Sequence, residues 1–309
     1  MQFGVHTGLQ HTTTDELRAL WRRIEDQRFD WISIWDHFYS AAVTAGPDGS
    51  IVAADADCLE AVVAHAALAA ATTRVRCGSL VYCVCYRHPA VLANAMVAID
   101  QLSGGRVTLG LGAGWHTQEA AAYGLPFPPR AGERLDQLEE AIQCIRGLLT
   151  EEVTDFKGQH FQLNAAQCEP KPVQARLPIW VGGGGERRTL PIAAAYADGW
   201  NLAFVPPETY AQKNAVLTQR CEAIGRDPAT IDRSVNVTVA IGDDDLEARF
   251  GGAAEYIRRS TLTGTTQQMV DLVGNFADAG AGMLILAVRA PFDVEGLDRF
   301  AAEVMPEFA

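Results

Sequence analysis

A chain of 309 residues is long enough to bury a large core, and its 48% hydrophobic and 20% charged residues describe a globular protein rather than a disordered one. A formal charge of −13 sets its overall field against a phosphate backbone, which makes nucleic acid an unexpected partner. No apolar run approaches the roughly 20 residues of a membrane span and Met1 leads into a strand-like segment without a signal pattern, so the expected setting is cytoplasmic, with no membrane contact.

Residues 3–9 read as a first strand, and Thr13 with Glu16 makes a capping box before Leu17, Leu20, Trp21 and Ile24, which share one helical face. The unit then recurs. Residues 31–35 form a strand and 59–71 a helix of small residues, while 74–84 form a third strand ahead of a helix that starts at Pro89 and carries Leu92, Ala95, Met96 and Ile99 on one face. Residues 106–112 form the fourth strand, and Leu135, Leu138, Ile142, Ile145 and Leu149 stripe a long helix.

The stretch 153–177 interrupts this rhythm: Phe156-Lys157-Gly158 predicts a hairpin turn, and Pro170 and Pro172 exclude a helix. It reads as an insertion after the fourth βα unit. Alternation resumes with strands at 178–181, 199–204, 234–241 and 283–288, and with helices to Ala197, over 207–225, through Ala279 and to Val304. Eight βα units, with near-continuous apolar strands such as Met283-Leu284-Ile285-Leu286, predict one domain over 1–309 folded as an α/β, (β/α)8 TIM barrel.

Functional groups of such a barrel sit where strands end at its C-terminal face. The second strand ends in Trp35-Asp36-His37-Phe38, delivering an acid and an imidazole side by side. Histidine titrates near neutrality, and the neighbouring carboxylate can orient it for proton transfer; the alternative is a loop cap. The fourth strand ends in Gly110-Leu111-Gly112-Ala113-Gly114-Trp115, where three glycines admit either a flat ligand or tight packing. The spacing fails the dinucleotide fingerprint, since its third glycine would fall at Trp115 or Thr117.

Between a strand and a helix lies Gly182-Gly183-Gly184-Gly185-Glu186-Arg187-Arg188. Its free N–H groups and the helix N-terminus suit a phosphate, and two arginines in a first turn make sense beside an anion; a solvated basic turn is the alternative. His65, His88, His116 and His160 lack a motif and read as structural or solvated. His6 could face the barrel mouth or be a hydrogen-bonded core residue, and Trp31, Trp180 and Trp200 read as barrel packing. Seven scattered cysteines, with Cys83 and Cys85 the one close pair, fit reduced thiols, and no metal set is expected.

These loops, together with Arg87-His88-Pro89-Ala90-Val91-Leu92-Ala93, Leu102-Ser103-Gly104-Gly105-Arg106 and Tyr123-Gly124-Leu125-Pro126-Phe127, resemble the luciferase-like oxidoreductases over essentially the whole chain, in the branch that uses coenzyme F420. The resemblance implies a planar deazaflavin at the barrel mouth, lined by Asp36, Tyr82, Ala113, Gly114 and Gln118. It also implies a non-proline cis peptide joining Ser79 and Leu80, and a phosphate at Gly184, Gly185, Arg187 and Arg188. His37 matches a proposed proton donor of the family's sugar-phosphate dehydrogenases, whereas the glutamate proposed as their base falls on Trp115 here. The implied activity is hydride transfer between the deazaflavin and a small substrate, preferably to C=C, C=N or C=O. The alternative is an FMN-dependent monooxygenase fed by a reductase. A homodimer is open.

Overall fold

Eight parallel strands close on themselves. β1 (Gln2–Thr7) pairs with β2 (Trp31–Ile34), β2 with β3 (Arg76–Ser79), β3 with β4 (Val107–Gly112), and β4 with β5 (Ile179–Gly182). The ring continues through β6 (Gly199–Ala203), β7 (Asp232–Val239) and β8 (Met283–Val288), and β8 returns to β1 in a register running from Gln2 with Met283 to Thr7 with Val288. The computed structural model describes residues 1–40, 44–45, 51–52, 56–240 and 258–309. Most of the long loop 39–57, and the start of the helical stretch expected after β7, therefore lie outside the described residues.

Around the ring run α1 (Thr14–Asp26), α2 (Ala61–Ala71), α3 (Pro89–Ser103), α4 (Thr117–Ala122), α5 (Ala131–Thr150), α6 (Thr189–Tyr196), α7 (Pro207–Ala223), α8 (Thr266–Asp278) and α9 (Val294–Glu303). The capping box at α1 forms as its spacing predicts: the Glu16 N–H donates to Thr13 Oγ1 at 3.2 Å and the Thr13 N–H to Glu16 Oε2 at 2.8 Å. Pro89 occupies the first turn of α3, and Gly104 ends it at φ 67°. The interruption after α5 contains an antiparallel hairpin of Thr154–Lys157 and Gln162–Ala166. Its turn is held by Glu140, whose carboxylate accepts the N–H groups of Gln159, His160 and Phe161 at 2.7–2.9 Å. Among the described residues no helix is long and apolar enough to cross a membrane.

The strand pattern splits the apolar residues between two faces. Leu284 and Leu286 on β8 pack outward against the helices, whereas Met283 and Ile285 join Trp31, Leu80 and Trp180 inside the ring. Trp31 and Trp180 stack at a centroid distance of 4.8 Å and 21° between planes. Trp200 instead points outward and stacks on Tyr210 of α7 at 5.4 Å. The two inner indoles need space on the neighbouring strands, and glycine supplies it: a Cβ on Gly78 would overlap the Trp31 ring, and one on Gly199 the Trp180 ring. Above them the interior turns polar, with His6 Nδ1 2.8 Å from Ser33 Oγ and Asn201 Nδ2 donating to Ser234 Oγ and Asn236 Oδ1 at 2.8 and 2.9 Å.

This packing makes a direct test. Gly78→Ala should destabilise the protein by about 1–3 kcal/mol through overpacking, measured by urea denaturation with an unchanged slope. Introduced into a Trp31→Phe background, the same change should cost clearly less, because the part of the indole it strikes is gone.

Candidate functional site

At the C-terminal end of the ring, the third predicted strand, 74–84, proves to be two pieces. β3 stops at Ser79, and a separate strand, Tyr82–Cys83, pairs with β4 further along. The cis peptide between them joins Leu80 and Val81, one residue beyond the Ser79 to Leu80 bond expected from the resemblance. The ladder to β2 explains the offset: Ser79 pairs with Ile34, and the Leu80 N–H still donates to the Ile34 carbonyl at 2.8 Å. Ser79 is also pinned sideways, its Oγ donating to the Gly110 carbonyl at 3.0 Å and accepting from the Gly110 N–H at 3.1 Å. Backbone held at both sites leaves the direction free to change only after Leu80.

The glycines at the end of β4 answer to this break. A Cβ on Gly110 would collide with the Ser79 carbonyl oxygen and one on Gly112 would lie 2.5 Å from Val81 Cγ2, while Gly182 on β5 would meet Val81 Cγ1 at 2.9 Å. Of the two readings open for the glycine run, packing against protein is therefore the one these contacts bear out at Gly110 and Gly112. Gly114 sits at φ 73°, a left-handed conformation, with Cys83 Sγ and Phe127 where a side chain would go.

Asp36 and His37 follow β2 but turn to different partners, which corrects the expectation that Asp36 orients His37. The Asp36 carboxylate is buried; Oδ2 accepts from the Cys83 N–H at 3.0 Å and from Arg87 at 2.7 Å. Arg87 continues to Glu60, the N-cap of α2. Burial pushes the Asp36 pKa up, against the pull of Arg87. Its second oxygen, Oδ1, is buried and has no hydrogen-bond partner.

His37 pairs instead with Glu119, a residue the sequence reading did not single out. Its Nδ1 lies 2.6 Å from Glu119 Oε1. The same carboxylate accepts the Phe38 and Tyr39 N–H groups at 2.7 and 3.0 Å and the Tyr86 hydroxyl at 2.5 Å. Burial raises the Glu119 pKa, but these donors, His37 first, outweigh it and hold the group below its ordinary value. An ionised acceptor at Nδ1 makes that nitrogen the donor and leaves Nε2 as the atom that exchanges a proton. Glu119 lies four residues past Trp115, the position on which the family's glutamate falls, and nothing in the spelling of the segment marks it.

The remaining expected residues scatter. Gln118 lies on the exposed face of α4, back to back with buried Glu119. The Tyr82 ring is fully buried beneath Arg87, 5.6 Å from its guanidinium, with the hydroxyl 3.1 Å from His65 Nδ1. That partner explains His65 as structural, burial lowering its pKa to about 4. His116 caps α4 through Nδ1. The Ala113 carbonyl accepts from Arg134 Nε at 3.2 Å.

After β5, the Gly183 N–H bonds the Asn201 carbonyl, whereas those of Gly184, Gly185, Glu186 and Arg187 meet no acceptor among the described residues. Arg187 is exposed beside them. Arg188 turns to α5, 2.6 Å from Asp136 Oδ1 and 3.3 Å from Glu139 Oε2, so its charge is already partly matched.

Known proteins bear on this arrangement. An F420-dependent glucose-6-phosphate dehydrogenase of Intrasporangium calvum is 28% identical over 351 aligned residues, covering 99% of this chain and 95% of that protein. The F420-dependent hydroxymycolic acid dehydrogenase of Mycobacterium tuberculosis is 35% identical over 179 residues, 58% of this chain and 48% of the relative. The chain spans about half the length of this and other curated relatives it matches, 48% and 49%. A solved F420-dependent secondary alcohol dehydrogenase, in complex with an F420-acetone adduct, superposes over 100% of this chain and 99% of its own with a TM-score of 0.85. At 21% identity that likeness speaks for the fold, the (β/α)8 barrel. Residues 1–279 match the model of the luciferase-like monooxygenases, and the chain belongs to that family.

Proposed function

We propose that this chain is a coenzyme F420-dependent oxidoreductase that moves a hydride between the deazaflavin and a small organic substrate, with reduction of C=C, C=N or C=O preferred. The observation that carries the reading is the His37–Glu119 pair at the mouth of the barrel: an imidazole fixed through Nδ1 at 2.6 Å, with Nε2 left to give or take a proton. The F420-dependent dehydrogenases among the relatives support the choice of hydride carrier.

The residues present fit such a group on two counts. Asp36 Oδ1 is a buried acceptor with no partner, suited to a donor on the edge of a planar ring. The unsatisfied N–H groups of Gly184 and Gly185, with Arg187 exposed beside them, suit a phosphate. Bound there, the cofactor supplies the hydride. The chain's own groups do the rest. Asp36, kept in place by Arg87 and the Cys83 N–H, would hold a donor of the ring. The segment 79–82, its Ser79 carbonyl against Gly110 and its Val81 side chain against Gly112 and Gly182, would give the ring a rigid support. His37 delivers a proton to the atom that gains negative charge as the substrate is reduced, and Glu119 balances the imidazolium that precedes transfer.

Coenzyme F420 should bind at least about tenfold more tightly than FMN in a fluorescence titration, a difference of about 1.4 kcal/mol; equal or better FMN binding would overturn the assignment. Arg187→Ala should weaken F420 binding and flatten its salt dependence, with a smaller effect from Arg188→Ala, whose side chain is engaged with Asp136 and Glu139.

His37→Ala should lower turnover by roughly 10²-fold or more, the scale of a general acid, while F420 affinity stays within a few fold. Glu119→Gln should also lower turnover without loss of F420. Near-normal turnover in His37→Ala would remove it as the donor.

A further inference from the structure

One cation at the barrel mouth belongs to neither the proton pair nor the glycine loop. Arg289 follows β8 directly. Met283 and Ile285 on that strand face the interior, and Ala287 and Arg289 continue the same parity. The register extends this to the neighbours: His6 pairs with Ala287 on one side and with Ser33 on the other. Two residues further along each strand, Gly8 and Trp35 stand level with Arg289.

The packing agrees with the register. The Arg289 guanidinium lies 5.0 Å from the Trp35 ring centroid, and a Cβ on Gly8 would meet the same indole at 2.8 and 2.9 Å. Trp35 makes edge contacts with His6 at 5.2 Å and with His37 at 6.4 Å. The guanidinium and the proposed proton donor thus both lie against one indole. Burial first, then the charge of Arg289, lowers the His6 pKa to about 3, so His6 is neutral at working pH, and among the described residues of this layer Arg289 carries positive charge. Desolvation lowers the Arg289 pKa as well, yet guanidinium remains protonated.

We propose that Arg289 is a substrate-anchoring residue, its guanidinium receiving a carboxylate or phosphate group of the substrate so that the reacting carbon is directed towards His37. This rests on the oxidoreductase reading and names the class of substrate: small oxyanion-bearing molecules. A guanidinium held over an indole presents its donors in a fixed plane, which suits two-point contact with a carboxylate or phosphate. Its burial strengthens such a contact. Binding energy spent on this remote group orients the bond to be reduced.

The test uses cofactor-free protein and calorimetric titration with acetate and benzoate, each against its neutral amide, acetamide and benzamide, and with inorganic phosphate. In the wild-type protein at least one anion should bind about tenfold more tightly than its amide, or phosphate should bind where the amides do not. Arg289→Gln should abolish that preference. Arg289→Lys, which keeps the charge and loses the fork, should retain it in weakened form and serves as the folded control. F420 affinity, measured on the same three proteins, should stay within a few fold.

The proposal fails if anions and amides bind the wild-type protein alike, if the preference survives in Arg289→Gln, or if F420 binding is lost along with it, which would give Arg289 to the cofactor. Failure of the wild-type protein to bind F420, with the anion preference intact, would instead strike the oxidoreductase reading and leave the anion site standing. Preference for phosphate over both carboxylates assigns a phosphorylated substrate, and the reverse a carboxylic acid.

Discussion

The site depends on one buried carboxylate. Glu119 receives a ring nitrogen from His37, two backbone N–H groups from Phe38 and Tyr39, and a hydroxyl from Tyr86. An ionised group without exposed surface is tolerable only when its oxygens are filled in this way. In being filled, it ties the loop after β2, the segment before α3 and the short helix α4 to one point. A six-residue helix such as α4 would gain little from its own hydrogen bonds. This side chain, with the buried Ala120 beside it, holds it to the barrel.

A second carboxylate works beside it under the opposite balance. Asp36 has one oxygen committed to Arg87 and Cys83 and the other uncommitted, and burial raises its pKa where donors lower that of Glu119. The two acids stand at one barrel mouth but differ in saturation. Glu119 is closed to further partners and acts only through His37, which it orients and whose charge it balances; Asp36 still has an acceptor to offer.

Much of the architecture is legible in the sequence because it is carried by local patterns. The capping box at Thr13 and Glu16, Pro89 at a helix start and the apolar strands each act within a few residues. What escapes is set by contacts between distant segments. The single strand read over 74–84 breaks because Gly110, Gly112 and Gly182 make room for Val81, and no pattern within 74–84 contains those residues. Arg188 reads as a phosphate ligand by its place at a helix start, but Asp136 and Glu139 of α5 lie within reach. Asp36 and His37 look like a pair because they are adjacent, and adjacent side chains at a strand end diverge. Glu119 left no mark, since a buried acid in a short helix has the same spelling as a solvated one.

The stacked Trp31 and Trp180 have a consequence for traffic. With Leu80, Met283 and Ile285 they plug the ring below the polar layer, so the barrel is a cup rather than a tube. Everything that enters must leave by the same rim. Of two ligands stacked in such a cup, the one seated deeper would have to enter first and leave last.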